Sequence, residues 1–329
     1  MHVTIVYKGK IPTKYYGGTA RDIWYLGKEL VKLGNKVTYL VDKGSFCPFA
    51  DIIYIDKYKN INEQIPKETD IVNLHSEFDE EIEKPFLLSV HGNTNNPNKV
   101  FPINTNFVSQ NHASRYGAEA FVYNGIDWAD YPEPNFSIKR NGYHFLGKAA
   151  WRVKNLKAAI KIAKKNKKPL EVMGGKRVNF SMGIRITLNP NIHFHGMVDD
   201  IYKAEIMNKS EALLFPVLWH EPMGLAVIES LYYGCPIIAT PYGSLPEIVG
   251  NEFGFLSNSL SDLIDAATNI EQYNRLHCHQ YAYENFNANK MAIKYLMYFE
   301  KILNGDNINN NNPRLKVVQV KKFLDFKWK

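Results

Sequence analysis

One stretch, Phe215 to Glu247 (FPVLWHEPMGLAVIESLYYGCPIIATPYGSLPE), constrains the fold of this chain more than any other. Leu213, Leu214 and Phe215 close an apolar run that Pro216 stops. Gly224 then opens a segment with Leu225, Ile228, Leu231 and Tyr232 at helical spacing, which Gly234 and Pro236 end. Ile237, Ile238 and Ala239 form a short apolar run of the kind buried in a parallel sheet. Two carboxylates frame the helix. Glu221 stands just before it, and Glu229, four residues after Leu225, shares that residue's face. The free N–H groups of a helix N-terminus can hold an anion, so a carboxylate beside them is an arrangement with chemical use.

The composite Glu221-Pro222-Met223-Gly224-Leu225, Glu229, Gly234-Cys235-Pro236-Ile237-Ile238-Ala239-Thr240 and Pro246-Glu247 resembles the retaining nucleotide-sugar glycosyltransferases of the GT-B fold, family GT4. Met223 stands where that family usually has Phe and keeps the bulk. A plainer reading is a strand–helix–strand unit with two surface carboxylates, but such a unit does not need a Gly-Leu opening with acids at both positions. The resemblance implies an α/β chain of GT-B architecture. It would have two Rossmann-like domains with parallel sheets facing across a cleft, and a C-terminal helix crossing back to the N-terminal domain.

A chain of 329 residues is long enough for two domains that each bury a core. Forty Lys and Arg against 33 Asp and Glu give a net charge of +7, which favours anionic partners such as nucleotide diphosphates or anionic membrane surfaces. Nucleic acid is set aside, because no zinc-finger spacing, RNA-binding aromatic signature or basic zipper accompanies the charge. Cys47, Cys235 and Cys278 are odd in number and without CxxC spacing, which reads as free thiols in a reducing compartment. MHVTIVYKGK reads as a strand rather than a signal peptide, and no apolar run is long enough to span a bilayer. The expectation is a cytoplasmic protein, or one that touches a membrane from outside.

Val3 to Tyr7, a helix from an N-cap at Thr19 through Leu33, and Val37 to Val41 give the β–loop–α–β start of a Rossmann-like sheet. The loop between holds Tyr15, Tyr16, Gly17 and Gly18, and paired glycines at a strand end allow close approach to phosphate. Short strands are expected at 52–55, 71–74, 87–90, 107–109 and 120–123. The N-terminal, acceptor-side domain is then residues 1–128, with a linker over 129–142. A nucleotide-sugar-binding domain follows over 143–288, with strands at 143–146, 170–173, 192–196, 212–215, 237–239 and 253–256. The crossover helix is read at 289–303, and NGDNINNNN opens a low-complexity tether and tail over 304–329. Leu324, Phe326 and Trp328 alternate with Asp325 and Lys327 in a basic tail. Peripheral membrane contact and an edge element packed on the protein are both open there.

Among the histidines, His91 and His75 end apolar strands, where open α/β sheets bind ligands. The resemblance gives His91 the place beside the transferred sugar, and makes Glu221 its catalytic companion through the sugar hydroxyls. It assigns Glu229 to the ribose. Lys148, Lys154, Gly224, Leu225 and Gly18 fall to the donor diphosphate, with Lys148 replacing the family's Arg and Asn155 its Gly. Gly17, His75, Asn93 and His220 remain acceptor-side or cleft candidates, and Arg152 stands near enough to Lys148 to compensate for the lost guanidinium. No carboxylate pair or His/Cys cluster has metal-ligand spacing, so neither a metal nor a cofactor is expected. Fixed positive groups would stabilise the leaving diphosphate instead.

The implied activity is retaining, metal-independent transfer of a sugar from a nucleotide-diphosphate sugar to a glycan or lipid-linked acceptor. Two alternatives accompany it. One is a non-catalytic GT-B-like binding or scaffold protein in a glycan-assembly complex, and the other is a nucleotide-sugar epimerase of the same fold.

Overall fold

The computed structural model describes residues 1–13, 17–180 and 183–329. Tyr15 and Tyr16 of the expected loop lie outside the described residues. The chain divides into two compact units, each described by itself. The first comprises Met1–Thr13, Gly17–Asp127 and Phe286–Val318, and the second Trp128–Asn285 and Gln319–Lys329.

The first unit runs β1 (His2–Tyr7), α1 (Gly18–Lys32), β2 (Lys36–Val41), β3 (Asp51–Tyr54), α2 (Ile61–Gln64), β4 (Ile71–Leu74), β5 (Phe86–Val90), β6 (Thr105–Phe107) and α3 (Gln110–Arg115). Its six strands lie in the order β3-β2-β1-β4-β5-β6, every neighbouring pair parallel. Strand order therefore reverses between β1 and β4, the place where open parallel sheets take ligands beyond their carboxyl ends. Val6, Leu40, Val72, Leu88, Phe107 and Tyr116 build the core on one side. The central strands β1 and β4 are buried along their length, whereas the edge strand β3 is exposed at Asp51 and Tyr54.

The second unit repeats the plan with β7 (Tyr143–Leu146), α4 (Leu156–Lys165), β8 (Leu170–Met173), β9 (Val178–Asn179), β10 (Arg185–Ile186), β11 (Ile192–Gly196), α5 (Asp200–Lys209), β12 (Ala212–Phe215), α6 (Leu225–Tyr232), β13 (Ile237–Ala239), α7 (Leu245–Ile248), β14 (Gly254–Leu256), α8 (Leu260–Thr268) and α9 (Arg275–Asn285). Its six-stranded sheet is also parallel, in the order β11-β8-β7-β12-β13-β14, with β9 and β10 as a separate antiparallel hairpin. The reversal falls between β7 and β12. Phe145, Ile162, Val172, Leu214, Ile238 and Leu263 fill its core.

The last helix, α10 (Ala288–Leu303), belongs to the first unit. Asn287 caps it, and the Asn289 side chain donates to Glu29 of α1 at 2.9 Å.

Several local expectations change. Gly17, at φ 147, caps α1 in place of Thr19, because that backbone conformation suits a residue without Cβ. Ala120–Tyr123 forms no strand, making a single bridge from Phe121 to Phe107. The Asn-rich run is held rather than free at Asn309, whose amide donates to the Ile103 and Thr105 carbonyls at 2.7 Å each. Its carbonyl oxygen accepts from the Glu119 and Ala120 N–H groups at 3.0 and 2.9 Å. The terminal residues pack on the second unit. Leu260 N–H donates to Lys327 and Lys327 N–H to Asn258, both at 2.8 Å, while Lys157 and Lys161 lie 5.0 and 4.9 Å from the Trp328 ring. No helix among the described residues is long and apolar enough to cross a membrane.

Candidate active site

In the second unit the loops after β7 and β12 meet at the strand-order reversal. Asn155 occupies a left-handed backbone position, φ 53, and its side chain caps α4 by accepting from the Ala158 N–H. Asparagine adopts that conformation more readily than other side-chain-bearing residues, so it can stand where the family has glycine. Just before it, the buried Lys154 donates to Glu221 Oε2 at 2.6 Å. The Trp219 indole N–H donates to the same oxygen at 2.8 Å. Lys154 Nζ also lies 4.9 Å from the centroids of both Phe215 and Trp219. An ammonium held over two aromatic faces is stabilised as a cation.

The Glu221 backbone is fixed from the other side. It bridges Gly243, and its carbonyl accepts from the Ser244 N–H at 2.9 Å. Gly224, in the left-handed region at φ 87, caps α6 with no side-chain hydrogen bond, and Leu225 is the first helical residue. The start of α6 therefore presents its N–H end beside a Lys–Glu pair. Such an end attracts anions.

Glu229, one face along α6, is also paired. Lys203 Nζ and the Tyr131 hydroxyl each lie 2.5 Å from its Oε1, and Lys203 reaches Asp200 at 2.8 Å. Lys148 is exposed, 5.2 Å above Trp151, which in turn packs edge-on against Trp219. Arg152 lies 5.1 Å over Phe323 of the tail. The His220 ring is 6.5 Å from that of Tyr242. Trp219, Lys203 and Tyr131 were not singled out from the sequence. Their signals, an aromatic two residues before Glu221 and a lysine in an otherwise ordinary helix, gain meaning only once distant segments meet.

In the first unit, Gly17 and Gly18 open α1, and the Gly17 carbonyl accepts from the Arg21 N–H at 3.0 Å. His75 follows β4 and His91 follows β5, so parallel neighbours bring them together, His75 Nδ1 to His91 Nε2 being 2.7 Å. Asp22 of α1, nearly fully buried, lies 3.9 Å from His91 Nδ1. Burial pushes the Asp22 carboxyl up to about 8 and the His91 imidazole down to about 4. His75 is held well below its ordinary value by burial and by His91. Asn93 accepts from Arg115 at 2.7 Å. Asp22, His75 and His91 also form the one group among the described residues whose donor atoms, all within 4.8 Å of one another, could hold a metal ion.

Two doubly wound, six-stranded parallel sheets are the architecture of the GT-B class of α/β folds. Comparison with known proteins agrees. Residues 140–272 match the family model described as Glycosyl transferases group 1. AviGT4, a glycosyltransferase involved in avilamycin A biosynthesis, superimposes with a TM-score of 0.74 at 18% identity, over 92% of this chain and 98% of that one. Anabaena HepE, in complex with UDP and glucose, superimposes with a TM-score of 0.64 at 13% identity, over 92% and 100%. An uncharacterized 41.2 kDa protein in the cps region of Klebsiella pneumoniae is 28% identical over 118 residues. That alignment spans 33% of this chain and 32% of the relative, about a third of each.

Proposed function

We propose that this chain transfers a sugar from a nucleoside-diphosphate sugar to an acceptor hydroxyl, with retention at the anomeric carbon and without a metal ion. The observation that carries the reading is the Lys154–Glu221 pair at the start of α6, inside the segment that matches the glycosyltransferase family model. Lys154, Lys148 and the α6 N–H groups offer fixed positive charge to a departing diphosphate. Among the described residues Lys154 and Trp219 both donate to Glu221 Oε2, and Oε1 serves a sugar hydroxyl. Glu229, braced by Lys203 and Tyr131, serves the ribose, and His91 serves the reacting sugar.

In the reaction the acceptor oxygen bonds to the anomeric carbon on the face that the diphosphate leaves. The carbon–oxygen bond to diphosphate breaks, and a diphosphate oxygen takes the acceptor's proton. HepE's complex with UDP and glucose supports a uridine nucleotide as the first donor to try. Calorimetry with UDP and GDP in the presence of EDTA tests the reading. Binding of one nucleotide is expected, and binding of neither overturns it.

A further inference from the structure

The hydrogen bonds around His91 fix which of its nitrogens carries hydrogen. Asn73 on β4 donates its amide to the Leu87 carbonyl at 3.3 Å and lies 3.1 Å from Ser89 Oγ. A carbonyl can only accept, so the Asn73 NH2 group points that way and its Oδ1 must be the atom 2.8 Å from His75 Nε2. His75 therefore carries its hydrogen on Nε2 and is bare at Nδ1. That bare nitrogen is 2.7 Å from His91 Nε2, so His91 must be the donor there. A neutral His91 then has its lone pair on Nδ1, facing Asp22 Oδ2 at 3.9 Å. His91 Nδ1 is buried with no hydrogen-bond partner, while the buried Asp22 carboxyl feels a backbone N–H, that of Gly125.

A carboxylate facing an imidazole lone pair in a site away from water is repelled by it. Burial favours the protonated carboxyl and the neutral imidazole, as the directions of both pKa values show. The other ionisable groups packed around the pair are His75, Tyr295 of α10, and His112 and Arg115 of α3. None of these adds a second carboxylate beside His91 Nδ1.

We propose that Asn73 and His75 are positioning residues for His91. The Asn73–His75 pair holds its imidazole in the Nε2–H tautomer, with the bare Nδ1 turned toward Asp22. The consequence for turnover rests on the reading of His91 as the group serving the reacting sugar; the tautomer assignment does not. A ring held through Nε2 keeps one orientation, and displacement of such a group by about 1 Å costs up to about a hundredfold in rate.

The experiment uses full-length protein with 15N-labelled histidine, in which long-range proton–nitrogen correlation reports each tautomer. His75 and His91 are both expected as Nε2–H, and a wild-type His91 protonated at Nδ1 alone overturns the proposal. In His75→Phe, His91 should lose its single tautomer while nucleotide affinity stays unchanged, which also shows that the variant folds. Turnover should fall about ten- to a hundredfold. His75→Gln keeps an acceptor for His91 and a donor for Asn73, and should restore both signals. A His91 tautomer unmoved by His75→Phe, or turnover unmoved when the tautomer shifts, sinks the positioning role. So does a stoichiometric divalent metal whose removal by EDTA shifts the His75 and His91 resonances. Should the tautomers behave as stated while no sugar nucleotide is bound or turned over, the functional reading fails and the relay stands.

Discussion

Gly243 lies against the backbone of Glu221 so closely that a Cβ added to it would come 2.2 Å from both the Glu221 nitrogen and its carbonyl oxygen. Its φ of 69 is in the left-handed region as well. Two separate penalties thus fall on any side chain there, and the turn after β13 can reach Glu221 only with glycine. Gly243→Ala is expected to cost at least about 2 kcal/mol, seen as a lower urea midpoint, and to weaken nucleotide binding because the Glu221 loop must move. Unchanged stability and affinity would show that the contact is not needed.

The Lys154–Glu221 pair has side chains only 10% and 7% exposed. Removing one member leaves a buried charge unpaired, which typically costs about 3–5 kcal/mol, whereas replacing both with apolar groups is much milder. Lys154→Met should therefore destabilise strongly, and Lys154→Met with Glu221→Leu should recover most of the loss while abolishing transfer. Urea unfolding of the two variants checks this. Equal stability of the single and double variants would mean that the pair is solvated.

Glu229 is held by Lys203 and Tyr131 before any ligand arrives, so its carboxylate is already oriented. Glu229→Gln keeps the shape but loses the charge facing Lys203. Nucleotide affinity should fall about tenfold, a loss of one charge-assisted hydrogen bond, with turnover at saturating donor less affected. Calorimetry and steady-state kinetics separate the two. An unchanged dissociation constant would remove Glu229 from the ribose role.

The second sheet and most of the first were legible, because buried parallel strands read as apolar runs, as at Leu213–Phe215 and Ile237–Ala239. The strand expected at 107–109 lies instead at Thr105–Phe107, and that at 120–123 is a single bridge. The motif around Glu221 was legible because its glycines and acids are close in sequence. Its partners were not. Lys203 is 26 residues from Glu229 and Asp22 is 69 residues from His91, so only the folded sheet brings them together. Asn309 misled for a different reason. Composition marks an Asn-rich run as unable to form a core, yet one asparagine amide can pair with a sheet edge much as backbone does, which composition does not encode.

Acid sensitivity follows from the buried imidazoles. Burial pushes His91 down to about 4, and burial with Arg115 takes His112, and with Arg140 His144, down to about 3. His75 moves in the same direction. Between their ordinary value near 6.5 and these lowered values, the unfolded chain binds protons that the folded one excludes. Stability must then fall as pH drops through that window. Asp22 acts in the opposite sense. Its carboxyl, raised to about 8, lets the folded state hold a proton that the unfolded state releases above about 4, so it costs stability as pH rises. Four imidazoles outweigh one carboxyl below pH 6.5, while Asp22 alone of these groups acts between 6.5 and 8. The urea midpoint should peak near pH 6.5, drop steeply toward pH 4 and decline gently toward pH 8. Asp22→Asn should flatten the alkaline limb and steepen the acid one, because the opposing carboxyl acts across both. A midpoint that rises on acidification from 6.5 to 4 would mean that these imidazoles are not held neutral by the fold.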